Sequence, residues 1–242
     1  MVPDLFREPK RLPLIAPSIL SADFAMLGDE CAHVLDKAGA DLLHVDVMDG
    51  HFVPNLTMGP ALVASLRKRL PDAFLDVHVM VTDPIQYVVP FAEAGANHLT
   101  FHIEPAVDRD AGAGMSPVSQ GYDVREVAAQ IRARGMTAGL AINPPTPIES
   151  ILSVAREFDL ILVMSVNPGF SGQAFIEESL EKTRWVRAAV GDRVRVQMDG
   201  GIGPSNAARV RDAGCDVMVA ATAVFGETRP NRAGAVEALR SG

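Results

Sequence analysis

A four-residue turn, Ala-Gly-small-Asp/Asn, recurs along this chain and limits its possible folds more than any other feature. Ala38-Gly39-Ala40-Asp41 precedes the apolar run Leu42-Leu43-His44-Val45-Asp46. Ala94-Gly95-Ala96-Asn97 precedes His98-Leu99-Thr100-Phe101, and Ala213-Gly214-Cys215-Asp216 precedes Val217-Met218-Val219-Ala220. Arg134-Gly135-Met136, ahead of Ala138-Gly139-Leu140-Ala141-Ile142, is a looser copy. Each time a helical pattern runs into the glycine and a strand-like run leaves it. A glycine just past a helix end can turn left-handed and cap the last carbonyls, so each copy reads as a helix-to-strand turn.

Eight short apolar runs are candidate strands, near 14–18, 42–46, 74–79, 97–101, 138–142, 160–164, 194–199 and 217–221. Helical patterns fill the gaps, over 25–37, 60–69, 85–93, 123–134, 148–156, 174–189, 204–212 and 232–240. Eight strand–helix units of about 30 residues each predict an α/β fold, a single-domain (β/α)8 TIM barrel of parallel strands. The barrel is expected over 14–242, after an N-terminal tail at 1–13. Leu160-Ile161-Leu162-Val163-Met164 is apolar without alternation, as a strand buried on both faces should be. An open doubly wound sheet is the alternative, although no Gly-x-Gly-x-x-Gly follows the first strand. The stretch 105–122 is rich in Gly, Pro, Ser and charge and reads as a long loop after the fourth strand, on the face where barrel active sites form. A surface excursion, a lid and a subunit contact all remain open for it.

Composition narrows the function. A length of 242 residues suits one barrel, and a net charge of −8 is poorly matched to nucleic acid, whose binding relies on basic patches. No unbroken apolar run reaches the roughly 18 residues of a membrane span. Met1 to Pro13 is charged and lacks the apolar core of a signal peptide, so a cytoplasmic chain with neither nucleic-acid nor membrane partners is expected. Cys31 and Cys215 read as structural thiols.

The polar residues at C-terminal strand ends are Ser18, His44, Asp46, His78, Asn143, Ser165 and Asp199. His44 and Asp46 are two apart on one strand, so both point to the same face, with Met48 next; His78 and Met80 repeat the arrangement one strand later. Two imidazoles and two carboxylates at one mouth are a candidate site for Zn2+, Mn2+ or Fe2+. Spacing alone leaves another reading open, in which each His is merely hydrogen-bonded and Asp199 is a turn residue. His33, His51 and His98 are poor ligand candidates; His102 lies near enough to the mouth to act indirectly. The four lysines, Lys10, Lys37, Lys68 and Lys182, fall in the tail or in predicted helices, so no strand-end amine is available for Schiff-base chemistry. Asn167-Pro168-Gly169-Phe170-Ser171-Gly172-Gln173 and Asp199-Gly200-Gly201-Ile202-Gly203 follow strands six and seven. They are either tight turns or a phosphate grip in which backbone N–H groups approach an anion closely.

These residues resemble the ribulose-phosphate 3-epimerase family. The matching segments are Ala16-Pro17-Ser18-Ile19-Leu20-Ser21-Ala22-Asp23-Phe24, His44-Val45-Asp46-Val47-Met48-Asp49-Gly50-His51-Phe52-Val53-Pro54-Asn55, Asp76-Val77-His78-Val79-Met80-Val81, Met164-Ser165-Val166-Asn167-Pro168-Gly169-Phe170-Ser171-Gly172-Gln173 and Asp199-Gly200-Gly201. The resemblance implies one divalent metal ion held by His44, Asp46, His78 and Asp199. Zn2+ is favoured, with Fe2+, Mn2+ and Co2+ as alternatives. It implies Asp46 and Asp199 as the acid–base pair for epimerising C3 of D-ribulose 5-phosphate through an enediolate. Ser18 and His78 would contact the sugar, and Met48, Met80 and Met164 would wall the reacting carbons. Gly169, Phe170, Ser171, Gly172, Gly200, Gly201, Ala221 and Thr222 would form the rest of the substrate site. A small sugar phosphate is the implied partner, in a homo-oligomer. Ala221-Thr222 stands where the family usually has Gly-Ser, and the 105–122 stretch is longer than the family's usual connection. Both features keep open an epimerase of another ketose, such as allulose 6-phosphate; a non-catalytic sugar-phosphate-binding barrel is a separate alternative, which the intact set His44, Asp46, His78 and Asp199 argues against.

Overall fold

Each of the eight short runs forms a strand. They are β1 (Leu14–Pro17), β2 (Leu43–Met48), β3 (Leu75–Met80), β4 (His98–His102), β5 (Thr137–Ile142), β6 (Leu160–Met164), β7 (Arg195–Asp199) and β8 (Val217–Ala220). The computed structural model describes residues 4–107 and 121–242. All pairings are parallel, in the order β1-β8-β7-β6-β5-β4-β3-β2. The ring closes between β1 and β2. There Ser18 bridges His44, the Asp41 N–H donates to the Ile15 carbonyl at 3.0 Å, and the Ile15 N–H donates to the Asp41 carboxylate at 2.9 Å.

Between the strands run α1 (Leu27–Asp36), α2 (Pro60–Arg69), α3 (Ile85–Glu93), α4 (Glu104–Val107), α5 (Val124–Ala133), α6 (Glu149–Leu152), α7 (Glu178–Val190), α8 (Ala207–Asp212), α9 (Thr222–Phe225) and α10 (Arg232–Ser241). The apolar core has two layers. Outward strand residues such as Val45, Val77 and Leu99 pack against helix residues such as Val63, Phe91, Ile131 and Val236. Leu14, Ala16, Leu160, Leu162, Val217 and Val219 fill the barrel interior with Phe6 beneath them. Burial on both faces is why β6 is apolar without alternation, whereas β2, β3 and β7 alternate apolar residues with the polar ones that build the site.

The recurring turn has a structural role beyond its glycine. Gly39, Gly95, Gly135 and Gly214 all have φ between 80° and 99°, the left-handed caps expected of them. The Asp or Asn two residues on from the first, second and fourth of these reaches the neighbouring strand. Asp41 accepts from the Ile15 N–H, Asn97 from the Leu75 N–H and Asp216 from the Val196 N–H. An arginine then clasps each glycine carbonyl: Arg240 at Gly39, Arg67 at Gly95 and Arg187 at Gly214. Each turn therefore ties a helix end, a strand start and a distant guanidinium together.

Several expected boundaries shift. The helix expected over 174–189 starts at Glu178, because the Ile176 N–H bonds the Ser165 carbonyl at 2.8 Å instead of entering a helical turn. The helix expected over 204–212 starts at Ala207, because the Asn206 side chain holds a turn through the Gly203 N–H and the Gly201 carbonyl. The pattern over 148–156 resolves into α6 and a separate 3-10 turn, Ala155–Glu157. The expected loop at 105–122 begins inside α4; its residues 108–120 lie outside the described residues. The short helices α4 and α9 hold too few residues to show a period.

Candidate active site

Strand register builds the site. β2 and β3 pair so that His44 lies beside Asp76, Asp46 beside His78 and Met48 beside Met80, three layers rising towards the mouth. Asp199 ends β7 beside Met164 of β6. One ligand atom from each of His44, Asp46, His78 and Asp199 lies within 4.8 Å of all the others. His44 and His78 are fully buried and Asp46 is nearly so.

The imidazoles are oriented from behind. His44 Nδ1 lies 2.8 Å from Asp76 Oδ2, and that carboxylate also accepts from Gln197 Nε2 at 2.7 Å. A donor Nδ1–H leaves His44 Nε2 facing the cluster, 3.2 Å from Asp46 Oδ1 and 3.9 Å from Asp199 Oδ2. His78 presents Nδ1, 3.1 Å from Asp46 Oδ1 and 3.8 Å from Asp199 Oδ2. Its Nε2 lies 2.8 Å from His102 Nε2. Ser18 Oγ donates to Asp46 Oδ2 at 2.5 Å.

Charge is distributed unevenly over the four. Burial pushes the Asp199 carboxyl up, and the neighbouring Asp46 charge adds to this, to about 8. Burial also opposes ionisation of Asp46, but His44 and His78 beside it outweigh that and hold it well below the ordinary carboxylate range. For His44, burial favours the neutral ring, yet Asp46 and Asp76 together raise it well above its ordinary value. Burial dominates at His78 and lowers it to about 4, so that ring is neutral at physiological pH.

The donor set fits a divalent ion. His44 Nε2 is buried and aimed between two carboxylates, 3.2 Å and 3.9 Å away, without a well-aligned hydrogen bond to either. Unpaired buried polar atoms are costly and call for an explanation, and two ring nitrogens with two carboxylates form an N2O2 set suited to Zn2+ and its first-row neighbours.

Above the cluster opens a pocket. It is lined by Ser18, Asp46, Asp199, the three methionines Met48, Met80 and Met164, the turns Pro168–Gln173 and Asp199–Ile202, and Ala221-Thr222. Every residue expected at the substrate site lies on this wall except His78, which is buried behind it. Gly200 sits at φ 121° and a Cβ there would fall 2.4 Å from Val166 Cγ2, so the turn carrying Asp199 tolerates no side chain. Ala221 has φ −93°, an ordinary value for alanine, so the missing glycine leaves no strain in φ. Thr222 Cγ2 lies close to Gly172, which brings the turns after β6 and β8 together.

Asp76, Gln197 and Glu104 stand behind the histidines, and nothing in the sequence assigned them a role. The one available signal was the His-x-Glu at 102–104, where a period of two continues past the end of β4 and places both side chains on one face. Among the described residues no helix is long and apolar enough to cross a membrane.

Fold and site together define a (β/α)8-barrel enzyme with a candidate divalent-metal centre at its C-terminal mouth. Comparison with known proteins narrows this further. The model of the ribulose-phosphate 3 epimerase family matches residues 14–225. The ribulose-phosphate 3-epimerase of Mycobacterium tuberculosis is 48% identical over 231 residues, covering 94% of this chain and 92% of the relative. The cytoplasmic isoform of that enzyme from Oryza sativa is 42% identical over 229 residues, covering 93% and 92%. The solved structure of KGPDC from Streptococcus mutans shares the fold, with a TM-score of 0.63 at 12% identity over 95% of this chain and 96% of that one. The chain belongs to the ribulose-phosphate 3-epimerase family and is an isomerase.

Proposed function

We infer that the protein interconverts D-ribulose 5-phosphate and D-xylulose 5-phosphate, with Asp46 and Asp199 as the two acid–base groups. The observation that carries this reading is one buried cluster whose two carboxylates are pushed in opposite directions, Asp46 towards the anion and Asp199 up to about 8. Inverting C3 of a ketose requires taking its proton on one face and returning one on the other. An ionised carboxylate accepts the C3 proton as the C–H electron pair moves towards C2. A protonated carboxyl then donates to the opposite face, and the two groups have exchanged states, ready for the reverse turnover. A divalent ion held by His44, Asp46, His78 and Asp199 would supply Lewis-acid stabilisation of the negative charge that builds on the sugar oxygen.

The other residues serve the same step. The Ser18 hydroxyl holds one oxygen of Asp46 and orients the carboxylate. Met48, Met80 and Met164 give the pocket a polarisable wall that excludes water. Backbone N–H groups of Gly169–Gly172, Gly200-Gly201 and Ala221-Thr222 would receive the phosphate, where glycine permits close approach. Zn2+ suits the donor set best. A cytoplasmic location is in keeping with the rice relative, a cytoplasmic isoform. Exposed Phe24, Met26 and Leu56 are apolar surface that a homo-oligomer could cover.

The decisive experiment is proton NMR of D-ribulose 5-phosphate in D2O with the zinc-loaded protein. Loss of the C3 proton signal together with new xylulose 5-phosphate is the expected result, and stripping the metal should stop both. A C3 proton that persists with no product would refute the assignment.

A further inference from the structure

His102 and Glu104 take no part in the chemistry above, yet both are buried at the end of β4 directly behind His78. His102 Nε2 is 2.8 Å from His78 Nε2, and the two ring planes are only 28° apart. On its far side His102 Nδ1 is 2.9 Å from Glu104 Oε2. The other oxygen, Glu104 Oε1, accepts from the Asn143 N–H and the Thr146 hydroxyl, each at 2.7 Å. The segment carrying those donors is itself clamped, because Lys182 Nζ donates to the carbonyls of Asn143, Pro144 and Thr146. Phe52 packs on His102 with ring centroids 4.8 Å apart.

One arrangement of hydrogens along this relay leaves His78 able to bind a metal ion. Glu104 Oε1 accepts from two donors, which favours the carboxylate, and a carboxylate Oε2 takes its hydrogen from His102 Nδ1. A neutral His102 then has a lone pair at Nε2. Two ring nitrogens 2.8 Å apart share a single hydrogen, so His78 Nε2–H is the donor. His78 Nδ1 is left with its lone pair aimed at Asp46 Oδ1, 3.1 Å away, and at Asp199 Oδ2, acceptor facing acceptor, an arrangement that a cation between them would reconcile.

We propose that His102 and Glu104 are positioning residues that fix the tautomer of His78, so that its Nδ1 is presented as a metal ligand. The inference rests on the metal reading of the His44–Asp46–His78–Asp199 cluster. The two histidine ligands would then be backed by carboxylates over different lengths. Asp76 touches His44 directly, whereas Glu104 acts on His78 through a second imidazole. Outer partners of this kind set ligand orientation and basicity.

Glu104→Gln tests the idea with almost no change of shape. The Gln oxygen can still accept from Asn143 and Thr146, which turns the amide NH2 towards His102. His102 Nδ1 must then accept, its Nε2–H donates to His78, and His78 Nδ1 carries a proton into the cluster. The expected results are a ten- to hundredfold loss of Zn2+ affinity in chelator competition and unchanged thermal unfolding of the chelator-treated protein. Two-bond proton–nitrogen NMR should show the His78 tautomer switching from Nε2–H to Nδ1–H. Wild-type Zn2+ affinity in E104Q, or an Nδ1–H tautomer of His78 in the chelator-treated wild-type protein, overturns the proposal. The wild-type spectrum decides the matter even if E104Q does not fold. His78→Ala separates the two readings. If H78A abolishes Zn2+ binding while E104Q leaves it intact, only the relay is wrong. If H78A binds Zn2+ as the wild type does, the metal reading fails and takes the relay with it.

Discussion

Asp199 shows at the scale of one residue how surroundings set chemistry. Its carboxyl ends β7 under the pocket, where burial and the Asp46 charge raise it to about 8. Below that pH it holds a proton that a metal ion must displace. His44, raised by Asp46 and Asp76, holds another. Zn2+ binding should therefore release protons, and its apparent affinity should climb as pH rises from 6 to 8. Calorimetric titrations in buffers of different ionisation enthalpy measure the release directly. A flat affinity across that range with no proton release would mean the charges are arranged otherwise. Asp199→Asn should abolish turnover, because an amide neither gives nor takes the C3 proton. Asp199 ends a strand and precedes two glycines, which the sequence shows. Its proton does not show there, because it depends on Asp46, 153 positions away along the chain.

At the scale of an element, the turn after β7 and the turn after β8 make opposite demands. Gly200 adopts φ 121°, and an added Cβ would lie 2.4 Å from Val166 Cγ2 and 2.8 Å from the Val166 nitrogen. Gly200→Ala should cost about 1–3 kcal/mol in thermal or denaturant unfolding. It should also reduce kcat by displacing Asp199. Ala221 sits at φ −93°, a negative value that demands no glycine. Ala221→Gly should leave kcat/KM close to wild type and lose only about 0.4–1 kcal/mol, through greater freedom of the unfolded chain. If A221G instead raised activity several-fold, the alanine would be limiting phosphate binding. Both turns read as glycine-rich or small in the sequence. The sign of φ that separates them is set by contacts between β6, β7 and β8.

Across the whole molecule, stability and chemistry occupy opposite ends of the barrel. Phe6 is 1% exposed below the strand starts, with its ring 4.9 Å from Phe74 and 4.7 Å from His98 in edge-on contact. Its carbonyl accepts from Arg195 Nε, and the adjacent Arg7 pairs with Asp159 at 2.9 Å. Phe6→Ala should destabilise the fold by about 3–5 kcal/mol while leaving kcat/KM unchanged at temperatures where the protein stays folded. Chemical denaturation and steady-state rates check the two halves. A large loss of activity in the folded variant would show that the two ends are coupled.

The family showed in the resemblance of motifs spread along the chain, and local pattern was enough, from the sequence alone, to determine the eight strand–helix units, the left-handed glycines of the recurring turn and the four metal-ligand candidates. Each of these depends on neighbours within a few residues, or on the rule that strand ends carry the chemistry. Tertiary structure alone decided which nitrogen of each histidine faces the cluster. It also placed Asp76 and Gln197 behind His44 and His102 with Glu104 behind His78, and it drove Asp46 and Asp199 apart in acidity. Those properties come from hydrogen bonds between residues as much as 121 positions apart and from a burial that exists only once the barrel has closed. A hydrogen-bond partner and a dielectric environment are sums over the whole fold, and no window of sequence contains them.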